Sequence, residues 1–144
     1  MSRITVTRSI QAPVQRVFET VADVEGFSRA VPEIQEVEFL SDIRRGVGTR
    51  FRETRLMRGR KVVTELEVTE YEEDERVRLI SDTSGVVWDS VFTVRPEADG
   101  TLLELTMEAR PYKLLPKLTT PLLKGMITKA LVADMDAVKV YCEG

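Results

Sequence analysis

The sequence predicts an α+β fold in which a curved, seven-stranded antiparallel sheet closes on one long C-terminal helix. Three observations carry the prediction. From about Lys117 to Tyr141, the residues Leu118, Leu122, Met126, Ala130, Ala133, Ala137 and Tyr141 recur every three or four positions, with Leu123, Ile127, Leu131, Met135 and Val138 widening the apolar stripe. Between positions 33 and 109 nearly every segment alternates apolar with polar residues, the period of half-buried strands. The links between those segments are short, which suits hairpins in a meander rather than parallel strands joined by helices. A stripe this broad needs a large apolar partner, and the concave face of such a sheet supplies one.

Taken in order, positions 3–10 set Ile4, Val6 and Ile10 against Arg3, Thr5, Thr7 and Ser9, predicting the first strand. Gln11, Ala12 and Pro13 end it. Pro13 suits the first turn of a helix, where its missing N–H costs nothing, and Val14, Val17, Phe18 and Val21 continue at helical spacing. A second short helix over 23–30 has Asp23 as its N-cap, Phe27 as its main apolar contact and Pro32 beyond its end. Strands follow at 34–41, 48–58, 61–71, 76–83, 86–95 and 101–109. Turn residues separate them at Gly46 and Gly48, Gly59, Glu73 and Asp74, Ser84 and Gly85, and Asp99 and Gly100.

The outward positions of these strands alternate in sign. Arg50 and Arg52 precede Glu65 and Glu67, then come Arg76 and Arg78, and Glu104 and Glu108 mark the last strand. Each exposed pair is worth roughly 0–1 kcal/mol, but mispaired strands would set like charges opposite one another. The lattice therefore helps to specify strand order; anion binding is the other use of such arginines. The inward positions are Val37 and Phe39, Phe51 and Met57, Val62, Thr64, Leu66 and Val68, Val77, Leu79 and Ser81, Trp88, Ser90, Phe92 and Val94, and Leu103, Leu105 and Met107.

Composition narrows the function. At 144 residues the chain reads as one domain over 1–144, long enough to bury a core and leave a cavity inside it. A net charge of -3 argues against a nucleic-acid partner, which requires clustered Lys and Arg in excess. No apolar run approaches a membrane span, so no stable membrane insertion is expected, and the start lacks an apolar leader, so the expected location is the cytoplasm. Histidine is absent, which removes the commonest general base and the usual zinc ligand. Cys142 is the only cysteine, which excludes an intrachain disulfide and a multi-cysteine metal site; it reads as a terminal thiol without a role. Neither metal nor cofactor is expected, and any catalysis must use carboxylates, Lys, Arg, Tyr, Ser or Thr.

The order of strand, two short helices, six antiparallel strands and long helix resembles the helix-grip fold of the START, polyketide cyclase/dehydrase and pollen-allergen superfamily. The stretch Ile10, Gln11, Ala12, Pro13 with Val17 and Phe18, then Asp23, Glu25, Gly26, Phe27 and Pro32, is similar to the opening of its bacterial polyketide-cyclase-like and coenzyme-Q-binding branches. The turns at Gly46, Gly48 and Thr49 and at Gly100 and Thr101 also resemble the family's. The resemblance spans essentially the whole chain. It implies a cavity between sheet and helix that holds a hydrophobic or amphipathic small molecule, and it leaves open whether the chain is an enzyme.

Within that frame, alternation from Phe51 and Met57 puts Glu53 and Arg55 on the inward face. Buried charges must be paired, so the two would hold each other, neighbouring hydroxyls or a ligand head group. A bulge or strong twist would instead turn them to the rim as a solvated pair. If they face inward, Arg55 could bind a ligand carboxylate or enolate while Glu53 orients it or takes a proton. Phe51, Met57, Trp88, Phe92 and Met107 form either a wall suited to a flat apolar ligand or simply packed core, and Ser81 and Ser90 add hydroxyls to it. Leu118, Leu122 and Met126 would close the cavity from the helix.

Pro111, Pro116 and Pro121, with Gly125, interrupt the helix's approach, so 112–120 reads as a broken entrance. There Leu114, Leu115 and Leu118 beside Lys113, Lys117 and Lys124 form an apolar gate with a basic rim, a membrane-surface or partner contact, or an ordinary helix start. The leading expectation is a monomer or homodimer that binds or carries a hydrophobic ligand such as a lipid, quinone or aromatic molecule. A cyclase-like enzyme using Glu53, Arg55 or Tyr112 for proton transfer is the second, and a protein-interaction helper of the coenzyme-Q-binding kind is the third.

Overall fold

The meander is written into its turns. In the computed structural model, which describes residues 2–144, Arg58 and Gly59 have φ of 52° and 77°, and Ser84 and Gly85 have φ of 53° and 82°. Two consecutive positive φ values make the tight turn whose twist matches that of paired strands. The resulting elements are β1 (Ser2–Ile10), α1 (Val14–Ala22), α2 (Val24–Ala30), β2 (Ile34–Phe39), β3 (Arg50–Met57), β4 (Arg60–Glu72), β5 (Arg76–Thr83), β6 (Val86–Glu97) and β7 (Gly100–Pro111). A helical segment follows in three parts: α3 (Leu114–Thr119), a 3₁₀ turn (Thr120–Leu123) and α4 (Lys124–Glu143). The strands form one antiparallel sheet in the order β1-β7-β6-β5-β4-β3-β2, and with the helix across it this is the helix-grip arrangement. The β1–β7 pair is tightest at a glycine. A Cβ on Gly100 would lie 2.1 Å from the Ile10 carbonyl oxygen, so only glycine lets β7 start beneath the end of β1.

Packing divides the sheet. Ile10, Val17, Phe18, Leu103 and Leu105 form a core with Met135 and Val138 of α4, all at most 2% exposed. Cys142 belongs to this core rather than to a loose terminus: its thiol donates to Thr20 Oγ1 at 3.3 Å, and burial raises its pKa. Arg16 donates to the Cys142 and Tyr141 carbonyls at 2.9 and 3.1 Å, placing a cation at the negative end of α4. Asp23 caps α2 as expected, accepting from the Glu25 N–H at 3.2 Å.

Of the expected outer charges Arg52, Glu65, Arg76, Arg78 and Glu108 form ion pairs, with one displacement. Arg52 reaches Glu38 at 2.9 Å and Glu65 at 3.0 Å, across neighbouring strands. Arg76 and Arg78 reach Glu70 rather than Glu65 or Glu67, because β4 bulges between Val68 and Glu70. The bulge also turns Tyr71 inward, where its ring meets Phe18 edge to face at 5.4 Å. Arg3, Glu108, Arg110, Asp89, Arg78, Glu70 and Arg76 then form one chain of alternating charges over five strands.

The long helix begins later than its periodicity predicts. Pro121 has no N–H to donate and tightens the chain into the 3₁₀ turn, so α4 starts at Lys124 and not near Lys117. Its buried residues are Leu131, Asp134, Met135, Val138 and Cys142, whereas Ala133, on the expected stripe, is exposed. The helix thus passes from core at its C-terminal half, to cavity wall around Ile127 and Ala130, to solvent from Lys124 to Met126.

Candidate functional site

Between the inner face of the sheet and α4 lies a cavity of about 420 Å³. Phe51, Glu53, Arg55 and Met57 reach it from alternate positions of β3, Ser81 from β5, Trp88, Ser90 and Phe92 from β6, and Met107 from β7. Strand alternation is sufficient to place all nine. The short helices close one end through Val21, Ala22, Val24 and Phe27, and α4 contributes Ile127, Ala130, Leu131 and Asp134. The wall is mostly apolar, as a site for a hydrophobic ligand must be.

Its polar feature is a buried ion cluster. The bulge opposite Arg55 falls in β2, between Ile34 and Glu36, so β3 keeps its alternation and both Glu53 and Arg55 point inward. Arg55 Nε donates to Glu53 Oε1 at 2.6 Å, and Nη1 and Nη2 donate to Asp134 Oδ1 and Oδ2 at 2.9 and 3.0 Å. Glu33, at the rim, stands 3.6 Å from Nη1. Only 16% of the Arg55 side chain is exposed, and 11% each of Glu53 and Asp134. Burial disfavours the guanidinium's charge, but the bonds to Asp134 and Glu53 outweigh it and raise the Arg55 pKa above its ordinary value. This arrangement ties the sheet to the helix through a planar, two-pronged contact.

Asp134 was not among the residues expected here. Its signal is a lone acid on the buried helix face, four residues after Ala130, three after Leu131 and four before Val138. Four expected site residues lie outside the cavity. Leu118, Leu122 and Met126 are 64%, 82% and 54% exposed, because the turn at Pro121 takes the chain off the line of α4. Tyr112 is half exposed and donates to Asp82 Oδ1 at 2.7 Å. It is held there because its N–H bonds to the Gly85 carbonyl at 2.9 Å, pinning it to the β5–β6 turn, and the hydrogen bond to Asp82 raises its pKa. Leu114 and Leu115 are also exposed, beside Lys113 and Lys117.

Among the described residues no group of acidic or cysteine side chains is arranged to hold a metal ion, and no helix is long and apolar enough to cross a membrane. No curated protein matches the sequence. Among solved structures, the chain is similar to the Thermus thermophilus protein TTHA0849, with 23% identity and a TM-score of 0.77 over 96% of this chain and 94% of that one. A START superfamily protein of Mycobacterium smegmatis gives 18% identity and a TM-score of 0.79, over 98% and 97%. The di-domain ARO/CYC StfQ of the steffimycin biosynthetic pathway gives 10% and 0.80, over 98% of this chain and 50% of that one. These likenesses concern the fold. Residues 1–143 match the family described as polyketide cyclase / dehydrase and lipid transport, and the chain belongs to that family.

Proposed function

We propose that the chain binds or carries a hydrophobic or amphipathic small molecule, of lipid, quinone or aromatic class, in the cavity between sheet and α4. The supporting observation is a largely apolar cavity of about 420 Å³, within the range of roughly 300–1,000 Å³ that small-molecule sites occupy. Burying a ligand's apolar surface against Phe51, Met57, Phe92 and Met107 supplies the affinity at about 25 cal/mol per Å², and the ion cluster selects the head group. The reading requires no cofactor.

The test uses the protein purified from its own host. Native mass spectrometry should show a mass above that of the chain, and denaturing extraction should release the ligand. Trp88, the only tryptophan, lies in the cavity wall and its emission should shift when the ligand is removed and restored. Ser90→Phe, which fills the cavity, should abolish that shift. A clean apo mass together with a Trp88 emission indifferent to apolar ligands would refute the reading.

A second reading, a cyclase-like enzyme, is favoured by one observation. Glu53 places a carboxylate inside an apolar cavity, where a base would meet a folded poly-ketone chain. Turnover separates the readings, since Glu53→Gln should abolish cyclisation if it occurs.

A further inference from the structure

Carboxylates outnumber the cation in the wall of the cavity, Glu53 and Asp134 standing against Arg55. From this we infer that the ligand presents a donor there, a protonated amine or a hydroxyl, and that the site rejects acids. The inference rests on the binding role proposed above and specifies the chemistry of its ligand.

Arg55 is the single cation of the cavity wall among the described residues, and three of its five N–H donors are taken by carboxylates of the chain. Nε serves Glu53, while Nη1 and Nη2 serve the two oxygens of Asp134. One positive charge therefore faces two negative ones inside the cavity, and Glu33 adds a third at the rim. A ligand carboxylate at the remaining Nη hydrogens would have to share a guanidinium whose charge Glu53 and Asp134 already offset. A ligand anion would also enter a region that already carries excess negative charge. The expectation that Arg55 anchors a ligand acid is thus opposed by its own partners.

Glu53 offers the complementary group. The residue is only 9% exposed and lines the cavity. Its Oε1 is taken by Arg55, while no described residue donates a hydrogen bond to Oε2. Glu53 lines the cavity, so a ligand O–H or N–H placed there can donate to that oxygen. An ammonium adds charge assistance, so it should bind more tightly than a neutral hydroxyl on the same apolar body. The Ser81 and Thr83 hydroxyls of the wall bond to each other at 2.8 Å, and beside such neutral groups the Glu53 carboxylate is a charged acceptor.

Decylamine, decan-1-ol and decanoate share one apolar body and differ in head group. Each is titrated below its micelle concentration at pH 7, read by Trp88 emission and by calorimetry. The expected order of affinity is amine, then alcohol, then acid, with decylamine at least about tenfold tighter than decanoate. In Glu53→Gln the spread between amine and acid should collapse. The wild-type ranking is informative by itself if that variant folds poorly. Decanoate binding as tightly as decylamine, or all three binding alike, would overturn the inference while leaving the binding role standing. Failure of all three to bind would refute the binding role and the inference together.

Discussion

Replacing Arg55 by Met removes the cation from a cluster that joins β3 to α4 and leaves Glu53 and Asp134 as buried carboxylates with no counter-charge. Removing one partner of a buried pair costs about 3–5 kcal/mol. The side chains involved are 11–16% exposed and border a cavity that water can enter, so the lower end, about 3 kcal/mol, applies. With a urea dependence of about 2 kcal/mol per molar, the unfolding midpoint should fall by roughly 1.5 M. Equilibrium urea unfolding followed by circular dichroism measures this directly. Adding Glu53→Gln and Asp134→Asn to Arg55→Met removes all three charges, and the triple variant should regain most of the loss, because the cost lies in stranded charge rather than in a missing contact. A single variant less than about 1 kcal/mol below wild type would show the cluster to be solvent-screened. A triple variant no better than the single one would show Arg55 to act by packing its stem.

Asp89, 8% exposed on the outer face, accepts from Arg78 and Arg110, and chiefly its hydrogen bond with Arg78 lowers its pKa. A carboxylate lowered in this way stabilises the fold above the ordinary value near 4 and loses that contribution as the pH falls further. Asp89→Asn should therefore cost about 1–2 kcal/mol at pH 7, and its stability should converge on wild type in unfolding curves below about pH 4. Gly100→Ala forces a methyl to 2.1 Å from the Ile10 carbonyl and should cost at least about 2 kcal/mol, or roughly 4–8 °C in a calorimetric Tm. Leu131→Ala, at a site 6% exposed, should cost about 2 kcal/mol or more. By contrast, Leu122→Ser, at 82% exposure, should stay within roughly 0.5 kcal/mol of wild type. Equal costs for these two in urea unfolding would mean that the helix buries the other face.

Much of the fold and most of the cavity wall were legible in the sequence, and the reason is the two-residue period of a strand. Once the turns at Gly59, Ser84 and Gly85, and Asp99 and Gly100 are recognised, the direction of every side chain from Phe51 to Met107 follows, bulges apart. That is why Phe51, Met57, Trp88, Phe92 and Met107 could be placed together, and Glu53 and Arg55 with them. The helical residues were harder. An apolar stripe as wide as the one from Leu118 to Tyr141 admits more than one burial face, and a shift of one residue turns a helix by about 100°. Only packing against Phe18, Leu103 and Leu105 selected the face of Leu131, Met135 and Val138, and only the turn at Pro121 put Leu118, Leu122 and Met126 outside.

By itself, then, the sequence determined the meander and the inward faces of its strands, because these depend on local alternation and short links, and it left Glu53 and Arg55 open between cavity and rim. The tertiary structure decided where that charge sits and what it pairs with. Asp134 lies 79 residues from Arg55, and no local period links them. Their bidentate contact exists because α4 faces β3 across the cavity, and with Glu53 it gives Arg55 two carboxylate partners inside the wall.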